Sequence, residues 1–234
     1  TASCIVTVTT YPGGGTYNGG GYTPAPPASN VAAEKQPDMP TAGTAPVTAT
    51  AGANGTASAS VPDQVITDAI SKAQADAKAQ GSSSNGIAVE LNLTMPQGAA
   101  SLSVSLSQNA LQSLVSAGVT SLIINGSPVK VTFDLKALQE IQRQSNGTVN
   151  ISIAPQAKLS ASARGMIGTR PVYDLTVGYG SGRTVSGFGG GMATVSVPYT
   201  PATGEAVGAL YAVYVDEKGN ATRIAGSAYD ANSR

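Results

Sequence analysis

The chain has 234 residues, of which 41% are hydrophobic and only 11% are charged, and its 13 basic and 13 acidic side chains cancel. A neutral chain without a basic cluster lacks the charge that binds nucleic acid, and no run of about 18 apolar residues is present to span a bilayer. With no histidine and only Cys4 as a thiol, it has no internal disulfide, no cysteine-rich zinc site and no imidazole general base.

The first 44 residues divide into a short strand and a linker. Residues 1–10 alternate, with Cys4, Val6 and Val8 on one face, which predicts the terminal strand of a truncated domain. We expect residues 2–9 to dock on a sheet edge, of this chain or of a neighbouring copy.

Residues 11–44 are rich in glycine and proline, which predicts a flexible linker. Three tyrosines recur along this linker at near-regular spacing: Tyr11, Tyr17 and Tyr22. They fit a solvated linker or, alternatively, a sugar-binding or adhesive repeat.

Residues 45–168 predict a helix-and-strand repeat subdomain, with helices laid on one side of a sheet. An apolar stripe at helical spacing lies between Pro62, which suits a first turn, and Gly81, which suits a C-terminal cap. Residues 87–94 alternate as a strand does. Residues 104–114 then align with 131–141, and a fainter copy begins at Val61. Each copy has an extended segment, a capping Ser, Asp or Pro, and a short helix, and an apolar strand follows each of the two clear copies.

Residues 169–234 predict an all-β sandwich, so the fold class is α+β. The predicted strands are 173–179, 185–188, 195–199, 209–215 and 221–224, separated by turns rich in glycine, proline and asparagine. Leu210–Val215 is apolar on both faces, as expected for a central strand.

Four motifs in the last part of the chain occur in a fixed order: Arg170-Pro-Val-Tyr-Asp-Leu175, Val185-Ser-Gly-Phe-Gly-Gly-Gly191, Val195-Ser-Val-Pro-Tyr-Thr-Pro201 and Tyr214-Val-Asp-Glu-Lys-Gly219. Together they resemble a module of large Gram-positive (Firmicutes) surface proteins that typically precedes S-layer homology repeats, and the sandwich part is loosely similar to ZU5-type domains. The N-terminal strand resembles the end of a bacterial Ig-like group 2 domain. The family places a final strand after Tyr229-Asp230, which implies that the sandwich of this chain lacks its last strand.

The resemblance implies an extracellular protein of the bacterial cell surface and supplies no catalytic residue. We therefore expect a non-catalytic structural or spacer module of an S-layer-associated protein. The alternatives are an adhesin module that binds a glycan or a host protein, and an accessory segment of an extracellular hydrolase. The expected partners are neighbouring domains of the same polypeptide, other copies through strand addition, and cell-wall or host glycans.

Several residues match the types and spacings of catalytic or metal sites, but each has a simpler structural interpretation. Ser127 and Lys130 have the S-x-x-K spacing of serine acyl-enzymes, yet they fall in a strand, where these two side chains point to opposite faces. Asp216, Glu217 and Asp230 are candidate calcium ligands, although 216–220 is better interpreted as a hairpin loop. Gly178, Gly180 and Gly182 lack the strand–helix context of a dinucleotide loop.

Five carboxylates at strand rims or helix starts are candidates for acid–base pairing: Glu90, Asp134, Glu140, Asp174 and Glu205. Solvated or helix-capping roles are the default for such positions. The sequence therefore predicts no enzyme activity, and it assigns no catalytic, cofactor-binding or metal site.

Overall fold

The computed structural model describes residues 6–7, 39–126, 129–156, 159–216 and 220–230. Its α-helices are α1 (Asp63–Ala79), α2 (Gln108–Ser116), α3 (Leu135–Gln144) and α4 (Ala161–Ile167). Its strands are β1 (Val6–Thr7), β2 (Thr41–Thr48), β3 (Thr50–Ala51), β4 (Thr56–Val61), β5 (Ile87–Thr94), β6 (Ser101–Leu106), β7 (Ser121–Asn125), β8 (Lys130–Asp134), β9 (Val149–Pro155), β10 (Tyr173–Tyr179), β11 (Arg183–Thr184), β12 (Ala193–Ser196), β13 (Val213–Val215) and β14 (Ala221–Arg223). The fold is α+β.

The predicted helices begin where short polar side chains or a proline can start them. Ser107 Oγ accepts a hydrogen bond from the Ala110 N–H at 3.0 Å, and Asp134 Oδ1 accepts one from the Ala137 N–H at 2.7 Å. These contacts satisfy donors that the first turn of a helix leaves unpaired. Helix α1 begins directly after Pro62, and Gly81, with φ of +64°, follows its end. The caps predicted from the sequence repeat are therefore confirmed.

Two mixed sheets contain most of the strands. Sheet A has the order β1-β12-β8-β7-β5-β2, and sheet B has the order β11-β10-β9-β6-β4-β3. In sheet A the strands β2, β5 and β7 are parallel, and β8 is antiparallel to both β7 and β12. In sheet B the strands β4 and β6 are parallel, while β9 is antiparallel to both β6 and β10.

The sequence repeat corresponds to three connections that cross between the sheets. The units β4-α1-β5 and β6-α2-β7 each begin in sheet B and end in sheet A, whereas β8-α3-β9 returns from sheet A to sheet B. Helix α1 contacts β2 and β5, α2 lies against both α1 and α3, and α3 contacts β7 and β8. Helices α1 and α3 therefore pack on sheet A, with α2 against both of them, and one hydrophobic cluster includes residues of both sheets.

The strands after residue 168 correct the expectation of a separate sandwich in 169–234. Strand β10 pairs with β9 along its whole length, and β12 pairs with β8, so both strands complete sheets that begin earlier in the chain. Local alternation predicts that a segment is a strand, but its partner is chosen by packing against distant residues. That is why the predicted boundary at residue 168 does not coincide with a boundary between sheets.

Two predicted C-terminal strands also differ. Leu210–Val215 was expected to be central, yet only Val213–Val215 forms a strand, and it pairs with β14 alone in the described part of the chain. Its residues are half-buried and Tyr211 is 51% exposed, so the segment is not enclosed on both faces. Residues 185–188 form no strand, although Val185 and Phe188 are buried.

The N-terminal expectations are tested only at residues 6–7 and from residue 39 onward. Val6 and Thr7 pair in parallel with Ala193 and Thr194 of β12, which agrees with the prediction that this segment docks on a sheet edge. The other residues of the predicted strand, and most of the predicted linker 11–44, lie outside the described residues. Strand β2 begins at Thr41, so the last four residues assigned to the linker belong to sheet A.

Candidate functional site

A large groove lies between strands β10 and β12 and the β13–β14 hairpin, with a cavity volume of about 1150 Å³. Its floor includes aliphatic side chains of both sheets, among them Val131, Ile153 and Val195. Five tyrosines also line it: Tyr173, Tyr199, Tyr211, Tyr214 and Tyr229. We call this feature the tyrosine groove. An apolar concave surface with a few polar groups is the usual form of a binding site.

One rim of the tyrosine groove is held by a cluster around Glu205. Tyr199 Oη donates a hydrogen bond to Glu205 Oε2 at 2.6 Å, and the Ala202 N–H donates to the same oxygen at 3.0 Å. Arg170 donates through Nε to Glu205 Oε1 at 3.2 Å and pairs with it again through Nη2. Tyr199 also packs edge-to-face on Tyr229, with ring centroids 6.5 Å apart. The cluster joins three separate segments of the C-terminal part of the chain.

The electrostatics of this cluster favour an ionised carboxylate. The Tyr199 hydroxyl, the Arg170 guanidinium and the Ala202 N–H lower the pKa of Glu205 from 4.5 to about 2. The pKa of Tyr199 is raised because its hydroxyl donates to that carboxylate. Glu205 therefore stays ionised at neutral pH, where it cannot act as a general acid.

Replacing Glu205 with glutamine is expected to change how stability depends on pH. A carboxylate whose pKa falls on folding stabilises the folded state above its unfolded pKa, and this contribution disappears as the pH drops through the folded pKa. The difference in unfolding free energy between wild type and Glu205→Gln should thus be largest above pH 4.5 and should shrink as the pH approaches about 2. Urea denaturation across this range measures the difference.

A second variant separates the effect of the Tyr199 hydroxyl from the effect of its ring. Tyr199→Phe keeps the edge-to-face contact with Tyr229 but removes the hydrogen-bond donor, so the pKa of Glu205 should move back towards 4.5. The unfolding free energy of Tyr199→Phe should then depend less on pH between about 2 and 4.5 than that of the wild type. Identical pH profiles for wild type and both variants would show that the cluster does not form in solution.

Only one member of the candidate S-x-x-K pair lies within the described residues. Lys130 begins β8 and pairs with Asn125 of β7, while Ser127 lies outside the described residues. The glycines of the candidate dinucleotide loop form the end of β10 and a tight turn, where Gly180 and Gly182 have φ of +53° and +78°. The prediction of a turn there is confirmed.

Two of the three candidate calcium ligands, Asp216 and Asp230, lie within the described residues. Asp216 accepts hydrogen bonds through Oδ1 from the Asn220 N–H and through Oδ2 from Asn220 Nδ2, both at 2.8 Å, as a hairpin loop requires. Glu217 lies outside the described residues, so the three candidates cannot be compared as a set. Across the described ranges, no three Cys, Asp or Glu side chains are grouped so as to hold a metal ion.

The other candidate carboxylates have separate structural partners. Asp134 caps α3, and Glu90 Oε1 accepts a hydrogen bond from Asn125 Nδ2 at 3.1 Å. Glu140 pairs with Arg143 and accepts from Gln144, and these contacts lower the pKa of Glu140 to about 2. Asp174 is exposed on β10 and lines the tyrosine groove.

The sequence did not reveal the tyrosine groove or the Glu205 cluster. Arg170 and Tyr199 both occur in the motifs that carry the family resemblance, but nothing in their spacing predicts that they share Glu205 as a partner. The available signal was the number of tyrosines after residue 170, which is high for a chain with 5% aromatic residues.

Comparisons of the chain with protein-family models, with curated proteins and with solved structures find no match. Among the helices described, none is both long and apolar enough to cross a membrane.

Proposed function

We propose that the chain is a non-catalytic structural module of a large, secreted bacterial cell-surface protein, where it spaces neighbouring domains of the same polypeptide. The observation that carries this proposal is the crossing of three helical connections between two sheets that share one hydrophobic core. Two sheets that are joined by three helical connections and share one core resist deformation more than a single sheet packed on one face, because displacing either sheet disturbs the packing of both.

The motifs between residues 170 and 219 support the location at the cell surface, through their resemblance to S-layer-associated proteins. We further infer that sheets A and B are the two layers of a sandwich, which β10 and β12 complete, and that the chain from residue 11 to the start of β2 at Thr41 is the linker that leads into it. Residues of both sheets in one core cluster support the sandwich.

The two carboxylates whose pKa values are lowered most are ionised at neutral pH, which also favours a structural role. Glu140 and Glu205 are each paired with an arginine, and each has its pKa lowered to about 2. Such carboxylates stabilise local structure and do not exchange protons with a substrate near neutral pH.

The proposal is tested by measuring the rigidity and the activity of the purified chain. With Cys4→Ser as background, Ala42→Cys and Ala225→Cys place dyes at two exposed positions, one on β2 and one shortly after β14. We expect a single narrow distribution of dye separations in single-molecule energy transfer, and one that does not change when a domain is fused to each end. A broad distribution would contradict the spacer role, as would hydrolysis of peptidoglycan that one point mutation abolishes.

A second candidate function is an adhesin module that binds a cell-wall glycan, a host glycan or a host protein. The tyrosine groove is the observation that favours it, because tyrosine offers a large apolar surface with a polar end and is enriched at binding interfaces. Binding to a glycan array separates this candidate from a pure spacer.

A further inference from the structure

Strand β10 has one edge that is mostly unpaired. It pairs with β9 along all seven residues on one side, but on the other side β11 pairs with only Gly178 and Tyr179. The Val172 carbonyl accepts from the Gln156 N–H on the β9 side, and the Val177 carbonyl accepts from the Val185 N–H on the opposite side, both at 2.8 Å.

Successive residues of a strand direct their backbone groups to alternate sides. Tyr173 and Leu175 therefore direct their N–H and C=O groups away from β9, as Val177 does. Within the described residues these four groups have no hydrogen-bond partner. This run of unpaired backbone groups is the free edge of β10.

The free edge opens into the tyrosine groove. Tyr173 and Leu175 lie on one face of β10, and Asp174 and Thr176 lie on the other, yet all four line the groove. The groove therefore follows the backbone of β10 along the stretch whose outer edge is unpaired. The unpaired N–H and C=O groups therefore lie beside apolar and aromatic side chains. A hydrogen bond formed in such surroundings is stronger than one exposed to water.

The other long outer strand, β2, is protected against strand addition. Its Thr41 and Ala49 N–H groups donate to the carbonyls of Gly86 and Thr94 on the β5 side. The backbone N–H and C=O groups of the even-numbered residues therefore point away from β5, towards the outside of the sheet. Pro46 is one of these and has no N–H to offer, as is typical of a protected edge. The free edge of β10 has no proline at its outward positions.

A neighbouring edge already accepts an extended segment. Val6 and Thr7 pair with the outer side of β12, and Val195 of the same strand lines the tyrosine groove. The charges that line the groove nearly balance, because Arg170 is paired with Glu205 and the positive charge of Arg223 is set against the negative charges of Asp174 and Asp216. This near balance favours an uncharged occupant.

We propose that the free edge of β10 accepts an extended, uncharged segment of another polypeptide, which adds to sheet B as a further strand with apolar side chains at alternate positions in the tyrosine groove. The proposal rests on the second candidate function and names its partner as a peptide strand. The unpaired groups are main-chain donors and acceptors with the spacing of a strand, which a peptide backbone matches and a saccharide does not.

The test uses the full chain and a synthetic decapeptide with the sequence of residues 1–10, acetylated, amidated and carrying Cys4→Ser. This peptide is uncharged, and it contains the two residues that pair with β12. Hydrogen exchange followed by NMR should show that bound peptide slows exchange at the amides of Tyr173 and Leu175. The amides of Asp174 and Thr176, which already face β9, should not change.

Two matched variants isolate the backbone donor. Leu175→Ala and Leu175→Pro both remove the leucine side chain, but only proline removes the outward N–H and places its ring at the edge. We expect Leu175→Pro to bind the peptide about tenfold more weakly than Leu175→Ala. If Leu175→Pro does not fold, a peptide N-methylated at alternate residues makes the same comparison on the wild-type chain.

Each outcome decides the proposal. Absence of binding at millimolar peptide, or binding without protection of Tyr173 and Leu175, would overturn it. If a hexasaccharide of N-acetylglucosamine instead binds in the groove, the adhesin function stands and the strand-acceptor site falls. If neither probe binds, both are refuted, and the structural role remains to be judged on its own test.

Discussion

Replacing Gly43 with alanine is expected to destabilise the chain by about 3 kcal/mol or more. Gly43 lies in β2 directly under helix α1, and a Cβ atom built on it would lie 1.8 Å from the carbonyl oxygen of Ala69 and 2.7 Å from the carbonyl carbon. Both are backbone atoms, so no rotamer change relieves the clash. Helix α1 would have to move away from sheet A and open the core that both contribute to.

Gly165→Ala is the matched control for this prediction. Gly165 lies on the exposed side of α4, and a Cβ atom there would have nothing within 4 Å. Alanine favours a helix over glycine by about 1 kcal/mol, so this variant should be neutral or slightly more stable. Urea unfolding midpoints compare the two. A Gly43→Ala variant as stable as the control would show that α1 does not pack on β2 this closely.

The local elements of this fold could be predicted from the sequence because their signals lie within a few residues of each other. Ser107 and Asp134 each cap a helix by accepting a hydrogen bond from the backbone N–H of the residue three positions later. The matching places of these two capping residues are visible in the sequence repeat. The alternation of residues 87–94 and 173–179 likewise defines strands whose bounds agree with the structure.

Strand partners could not be predicted, because they depend on contacts between distant residues. Nothing near β10 indicates that it pairs with β9, or that β12 pairs with β8 some sixty residues earlier. The separate sandwich expected for residues 169–234 followed from assuming that neighbouring strands pair with each other. Here the connections cross between sheets, which the sequence repeat did not reveal.

Glycines posed a related difficulty. The composition of the run Gly189-Gly-Gly191 predicts a turn, and Gly189 and Gly190 do have positive φ. Gly191 has another reason to be glycine, since a Cβ atom there would lie 2.1 Å from the Ala137 nitrogen at the start of α3. Composition reveals the flexible turn, but the close approach of a distant helix is visible only in three dimensions.

Phe133→Ala is expected to lower the free energy of unfolding by about 3–5 kcal/mol. Phe133 is fully buried in β8, between β7 and β12, and its ring meets that of Phe188 edge-to-face with centroids 5.8 Å apart. Removing the ring leaves a cavity and also takes away the aromatic contact with Phe188 in the segment 185–188. Phe133→Leu keeps most of the apolar volume and should cost clearly less, which makes it the control.

The same variant tests whether the two sheets unfold together. Phe133 belongs to sheet A, but it shares one hydrophobic cluster with Val104, Ile151 and other residues of sheet B. If that cluster is a single cooperative core, amide exchange through global unfolding should accelerate by the same factor in β6 and β9 as in β5 and β7. Acceleration confined to sheet A would mean that the sheets open separately. The crossing helices would then be simple connections, and the rigidity on which the spacer role depends would be lost.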